Sequence, residues 1–253
     1  MTLLHVFILS LIEGLTEFLP VSSTGHLIIA SSALNIEPTD FSKAFDVIIQ
    51  FGAIFAVVFL YHDRLKWDFK YYLKVFCAFL PAAAIGFLFK KKIDILLEST
   101  VVVAWALIIG GVILMFVDSF FKRNMGTELT NKKSGLIGLF QCLALIPGAS
   151  RSAATIIGGQ AVGLNREKAA EFSFILAIPT LTAATLYKLW KIRDILDATQ
   201  SFNLCLGIIL SFIFALIAIR IFVTFLNKHG LKYFGIYRII LGCIVLYFNS
   251  KGL

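Results

Sequence analysis

The sequence predicts an all-α polytopic integral membrane protein. Its six transmembrane helices and two re-entrant helix-loop-helix hairpins form one membrane domain, 1–253, arranged as an inverted-topology repeat. Three observations carry that expectation. The chain is 59% hydrophobic and only 15% charged, with a mean hydropathy of +0.90, whereas a soluble domain is about 25% charged. Six stretches approach the roughly 20 apolar residues that a spanning helix needs. Two further apolar regions, 3–33 and 134–163, are each interrupted by a polar segment containing proline.

The elements follow in order. In the first half, about 1–126, the interrupted region 3–33 precedes spans at about 44–61, 71–89 and 101–121. In the second, about 127–253, the interrupted region 134–163 precedes spans at about 168–189, 202–226 and 233–249. Connectors such as HDRLKWDFK and KRNMGTELTNKK separate the spans. The interruptions are PVSSTGH (20–26) and PGASRSAAT (147–155), and their apolar flanks are marginal for spanning alone. Non-helical backbone at membrane depth is tolerated only where protein or a wet cavity surrounds it. Each hairpin is therefore expected to enter and leave on one side, the alternative being two ordinary spans joined by a short loop.

A shift of 127 residues places Pro20 on Pro147, Ser23 on Ser150, Phe45 on Phe172 and Ile48 on Ile175. Three spans per half is an odd number, so the second half is inverted relative to the first. The two polar loops should then converge from opposite faces near the midplane.

The net charge of +8 includes no run of five basic residues. It reads as loops facing anionic lipid and as a topology signal, not as a nucleic-acid surface. Connectors on the side of the termini carry 8 Lys and Arg and the opposite side 11, which places both termini outside. The four cysteines lie far apart within apolar stretches, so neither a zinc site nor a disulfide framework is indicated. The apolar amino terminus has two Glu and no basic leader, and reads as part of the mature chain.

The few intramembrane charges mark the chemistry. Glu13 and Glu17 stand four apart and project from one helix face. Ionised carboxylates are costly in hydrocarbon, and two together call for a divalent cation between them or a role as general base; the bland alternative is a helix end at the interface. Ser22, Ser23, Thr24 and Gly25 follow, just before His26. A serine needs a base to become a nucleophile, and His26 and the glutamates are the local candidates, although the hydroxyls could instead cap the next helix. In the second loop Arg151 lies between apolar runs and needs an anionic partner, either phosphate or Glu13 or Glu17. Gly148, Ser150, Ser152 and Thr155, with the N–H groups opening the next helix, would complete an anion pocket. Arg220 and Arg238 are expected to reach the basic interface, and Gln50 and Gln141 to bond loop backbone.

EGLTEFLPVSSTGH (13–26) and PGASRSAAT (147–155) resemble the two signature motifs of the undecaprenyl-pyrophosphate phosphatases, the bacitracin-resistance family of bacterial inner membranes. The similarity extends to FDVIIQFGAIFAV (45–57) and AAEFSFILAIPT (169–180), so it covers the whole chain. One departure is Ala153, where the family usually has glycine. The resemblance implies dephosphorylation of a polyprenyl pyrophosphate carrier that recycles after peptidoglycan synthesis. It implies catalytic roles for Glu13, Glu17, Ser23, His26 and Arg151, with Ser150 and Thr155 holding the pyrophosphate beside Arg151. It further implies a divalent cation (Mg or Ca) at Glu13 and Glu17, a homodimer, and a site facing the outer side of the inner membrane. Attack by Ser23 and attack by an activated water both remain open. The competing class is a lipid-phosphate flippase on the same repeat, which would need Arg151 but has no use for Ser23 and His26 beside a carboxylate pair.

Overall fold

The structure is a computed structural model and describes residues 1–65, 68–96, 99–121 and 128–250. Among these residues there are helices and no strands. The order is α1 (Leu3–Thr16), α2 (Ser23–Ala33), α3 (Asp40–Ile48), α4 (Gln50–Leu60), α5 (Phe69–Leu88), α6 (Lys90–Leu96), α7 (Thr100–Phe120), α8 (Asn131–Gln141), α9 (Arg151–Ala161), α10 (Arg166–Ile192), α11 (Ala198–His229) and α12 (Lys232–Ser250), with 3-10 turns after α8 and α10. Lys66, Lys122, Arg123 and Lys251, which enter the charge count, and the boundary between the halves lie outside the described residues.

Local chemistry sets the helix starts. Thr2, Ser22, Thr39, Asp68, Ser99, Thr130, Ser150, Asn165 and Asp197 each accept a backbone N–H three residues on. These are the residue types that satisfy the free donors of a first helical turn. α3 and α4 act as one element, Asp40–Leu60, because Ile49 between them keeps helical angles.

Among the described residues six helices are long and apolar enough to cross a membrane: Asp40–Leu60, Phe69–Leu88, Thr100–Phe120, Arg166–Ile195, Ala198–His229 and Lys232–Ser250. Their outer faces expose large apolar side chains, among them Phe76, Phe87, Trp105, Ile109, Phe116, Ile217 and Ile221. In water these would be unmet; in a bilayer they face lipid. The chain is thus a multi-pass membrane protein. α1 and α2 are each too short to span, as are α8 and α9.

With lipid outside, helix association rests on close packing. α7 and α12 cross where Gly111 meets Gly235, and a Cβ on either would lie within 2.7 Å of the other's carbonyl oxygen. α1 packs along α11 and α8 along α5, so each short helix lies against a span from the other half. Buried Phe18, Phe174, Ile175 and Phe222 lie in the larger core cluster, and Val6, Phe41, Phe45 and Ile48 in a second.

α2 and α9 match from end to end. Each has eleven residues and starts from a serine at φ 71°, Ser22 and Ser150, whose side chain caps the helix. Their C-termini repeat the same three bonds: Leu34 to Ala30, Asn35 to Ser32 and Ile36 to Ser31 in α2, and Val162 to Gly158, Gly163 to Gln160 and Leu164 to Gly159 in α9. These are the carbonyl-satisfying bonds of a left-handed helix stop, with φ of 52° at Asn35 and 98° at Gly163. Cap pairs with cap at an offset of 128, one more than the identity-based shift of 127. The difference arises because backbone geometry follows the capping serine, while the identity match followed the prolines.

Candidate active site

Glu17 closes α1 as its C-cap residue, its N–H bonded to the Glu13 carbonyl at 2.9 Å. Six residues later Ser23 opens α2, and its Oγ donates to Glu17 Oε2 at 2.5 Å. Ser22 is the capping serine. That leaves the Ser23 hydroxyl free of capping and turned to the carboxylate.

Arg151 opens α9 and brings the second loop to the first. Its Nη2 donates to Glu17 Oε1 at 2.8 Å, and its Nη1 to the Ser173 carbonyl at 2.9 Å. The guanidinium lies 5.4 Å from the Phe18 ring centre, a favourable cation–π arrangement, and Phe18 is held edge-on by Phe174. Arg151 Nε is buried and has no hydrogen-bond partner among the described residues. Ser23, Glu17 and Arg151 thus form one continuous chain of charged and hydroxyl groups joining both loops.

The loop hydroxyls divide by task. Ser150 caps α9 through the Ala153 N–H at 3.2 Å. Ser152 Oγ donates to the Leu19 carbonyl at 2.8 Å, fastening α9 to the first loop. Thr155 Oγ1 donates to the Arg151 carbonyl at 2.8 Å and shares a 2.6 Å bond with Ser173 Oγ. His26 is not brought to Ser23: its Nδ1 meets the Ser22 carbonyl and its Nε2 the Tyr237 hydroxyl, each at 2.7 Å. Glu13 is fully buried, and among the described residues neither of its carboxylate oxygens has a hydrogen-bond partner.

A cavity of about 570 Å³ opens over this arrangement. Glu17, Ser22, Ser23, Thr24, Gly148, Ser150 and Arg151 line its polar end. Phe79, Ala82, Leu181 and Ala184 on α5 and α10 form an apolar wall, beside Gln50 and Gln141. Lys90, which opens α6 directly after α5, and Tyr187 and Lys188 near the C-terminal end of α10 also line it, and Lys90 bonds the Tyr187 hydroxyl. Glu13, Gly25, His26, Ser152 and Thr155 are not part of this lining. Gln141 reaches the Ala78 carbonyl at 3.4 Å and accepts from Thr180 at 3.3 Å.

Three residues escaped the sequence reading or were placed elsewhere by it. Ser173, within the quoted AAEFSFILAIPT segment, holds Arg151 and Thr155. Tyr237 holds His26 and carried no signal in the sequence. Arg238 does not reach the interface: it is fully buried and bonds both loops. An arginine inside an apolar run was the available signal, and its nearness to a basic loop made it look like an interfacial residue.

The family model described as "Bacitracin resistance protein BacA" matches residues 6–244. A protein of Bdellovibrio bacteriovorus named undecaprenyl-diphosphatase is 51% identical over 100% of this chain and 98% of its own length. Relatives with that name from Flavobacterium psychrophilum and Aquifex aeolicus are 51% and 47% identical, over 97% and 96% of this chain and 95% and 97% of their own lengths. The match covers α1 through most of α12 and both site loops, so the chain belongs to the bacitracin resistance protein family.

Proposed function

We propose that the protein is an undecaprenyl-diphosphatase, hydrolysing undecaprenyl pyrophosphate to undecaprenyl phosphate and inorganic phosphate and so returning the lipid carrier to peptidoglycan synthesis. The observation that carries this reading is the Ser23–Glu17–Arg151 chain at the polar end of a cavity with an apolar wall. Such a cavity suits a substrate with a diphosphate head and a prenyl tail. Turnover of this substrate is also what opposes bacitracin.

In the proposed mechanism, the terminal phosphate enters against Arg151, whose unpaired Nε and planar fork suit phosphate oxygens. The phosphate competes with Glu17 for the guanidinium. Glu17, no longer neutralised, takes the proton of Ser23 Oγ, and that oxygen attacks the terminal phosphorus. The bond to the bridging oxygen breaks, and undecaprenyl phosphate leaves with the bridging electron pair. Water then hydrolyses the phosphoserine and releases inorganic phosphate. Charge on the transferred group is met by Arg151 and by N–H groups at the starts of α2 and α9. His26, held between the Ser22 carbonyl and Tyr237, supports the loop that carries Ser23.

The divalent cation implied by the resemblance fits the donor chemistry here. Glu13 has two buried oxygens without partners, and Asp46 on α3 has one, whereas both oxygens of Glu17 are engaged. Among the described residues no group of three or more His, Cys, Asp or Glu gathers as an all-protein site. Magnesium is commonly held by one or two carboxylates with substrate phosphates. Glu13 and Glu17 would hold the cation, which when bound would supply further neutralisation of phosphate charge.

The inverted repeat and two re-entrant hairpins belong to the same proposal, supported by the matching caps of α2 and α9 and the exchanged packing of α1 and α8. The cavity leads to the ends of α5 and α10 on the side of the termini, which supports a site facing the outer side of the inner membrane. Cysteines placed one at a time at Lys188 and Lys228 should react with a membrane-impermeant maleimide from outside only at position 188; the reverse pattern would reject this orientation. A homodimer is carried over from the resemblance.

Purified protein in detergent, given a polyprenyl pyrophosphate, should release inorganic phosphate. Detergent removes sidedness, so release there is hydrolysis and not transport. Ser23→Ala should abolish nearly all turnover, and acid-quenched wild-type enzyme should carry phosphate on Ser23. Near-normal turnover of Ser23→Ala would leave direct attack by water as the route.

A further inference from the structure

Arg238 lies in α12, remote in sequence from both site loops, and among the described residues heads the fully buried side chains by volume. A guanidinium has five N–H donors in one plane, and here all five go to main-chain carbonyls. Nε donates to Leu107 at 3.4 Å, Nη1 to Pro20 at 3.3 Å and Ala149 at 3.1 Å, and Nη2 to Ala106 at 3.0 Å and Gly148 at 2.9 Å. One rigid plane therefore joins three pieces of chain: the loop before α2, the loop before α9, and α7. No donor is left for a carboxylate. Burying a cation is costly unless its hydrogen bonds are met, and five converging carbonyl dipoles meet them.

The joined loops need outside support. Ser22 and Ser150 both hold φ of 71°, a left-handed conformation that costs a non-glycine residue energy and persists where its surroundings over-determine it. Arg238 grips the chain just before each: Pro20 two residues ahead of Ser22, and Gly148 and Ala149 directly ahead of Ser150. In a trans peptide the C=O and N–H point in opposite directions. Holding the Ala149 carbonyl on Arg238 therefore turns the Ser150 N–H the other way, on the loop that lines the cavity.

We propose that Arg238 is a positioning residue for phosphoryl transfer. Its saturated fork holds the loop carrying Glu17 and Ser23 in a fixed relation to the helix start carrying Arg151. The proposal rests on the diphosphatase reading above. Arg238 does not line the cavity, so it acts through the two loops and not on the substrate.

Two variants test it from opposite sides. Arg238→Lys keeps the charge and loses the fork. Gly110→Ala keeps the arginine but places a Cβ that overlaps Nη2 and lies 2.8 Å from Cζ, while alanine favours the helix more than glycine does. Wild type and both variants are purified in detergent, the folded fraction is measured by thermal unfolding, and kcat and KM for a polyprenyl pyrophosphate are determined per folded molecule. A misplacement of about 1 Å costs on the order of 100-fold in rate. Both variants should therefore lose kcat by about 100-fold, with KM changed less than about threefold because Arg151 still binds the phosphate. Wild-type kcat per folded molecule in either variant overturns the proposal, including the case in which only the folded yield falls. If Arg238→Lys does not fold, Gly110→Ala decides by the same criterion. A folded wild type that releases no phosphate refutes the diphosphatase reading and takes this proposal with it, an outcome distinct from an active wild type with unaffected variants.

Discussion

Replacing Glu17 by glutamine should lower phosphate release from a polyprenyl pyrophosphate by about a thousandfold. Two effects meet at this one position, one on rate and one on folding. The carboxylate accepts the Ser23 hydroxyl at 2.5 Å, and a general base contributes about 10²–10⁴ in rate. It also neutralises Arg151 at 2.8 Å, where the two side chains are only 9% and 5% exposed. Removing one partner of a buried pair leaves a charge uncompensated, typically at about 3–5 kcal/mol of stability, a cost that falls on the folded fraction and not on the rate per folded molecule. The amide keeps the size of the side chain, so the loop retains its shape while its charge is lost. Initial rates in detergent, normalised to folded protein, check this; a Glu17→Gln enzyme within tenfold of wild type would remove Glu17 from the chemistry. Glu17→Asp should fall between the two, since it keeps the charge but withdraws it by one methylene.

The second large effect is expected at Arg151. Arg151→Ala should reduce kcat/KM by on the order of 10³, the lower end of what a charge-stabilising arginine supplies in phosphoryl transfer. Arg151→Lys separates charge from geometry. The guanidinium reaches Glu17 with one nitrogen and the Ser173 carbonyl with the other, whereas an ammonium is a single point charge on a flexible stem. The lysine variant should therefore recover part of the loss, roughly tenfold, and remain far below wild type. Full recovery by lysine would mean that only charge matters here, and the fork would have no part in recognising the phosphate. Both measurements should be made at several ionic strengths. A buried pair is screened much less than an exposed one, so the difference between the variants should persist as salt is raised.

Much of the site was legible as chemistry that hydrocarbon does not tolerate. Glu13, Glu17 and Arg151 stood out because each is costly in an apolar run. Their pairing was open, since Arg151 could have met either glutamate or only phosphate. The fold brings it to Glu17 and leaves Glu13 without a hydrogen-bond partner. Capping shows a similar division. That a serine would start α2 was readable from the residue types, but Ser22, Ser23 and Thr24 were equal candidates. Backbone angles settle it: Ser22 turns to φ 71° and caps, which releases Ser23 toward Glu17. His26 shows the limit most clearly. Three residues from Ser23, it was a candidate base together with the glutamates, yet one helical turn carries its ring to the Ser22 carbonyl and to Tyr237 on α12.

By itself the sequence determined that this is a helical membrane protein with six apolar spans, because composition and run length decide how a chain partitions between water and lipid. It also located both polar loops, since charge, proline and hydroxyls stand out against an apolar background. Only the tertiary structure decided which groups meet. Arg238 is the plainest case: in sequence it is a basic residue near a basic loop, and in the fold it is a buried fork holding five carbonyls. Backbone carbonyls are the same at every position of a sequence. Which of them converge on one guanidinium depends on how α12 crosses α7 and on where the two loops come to rest.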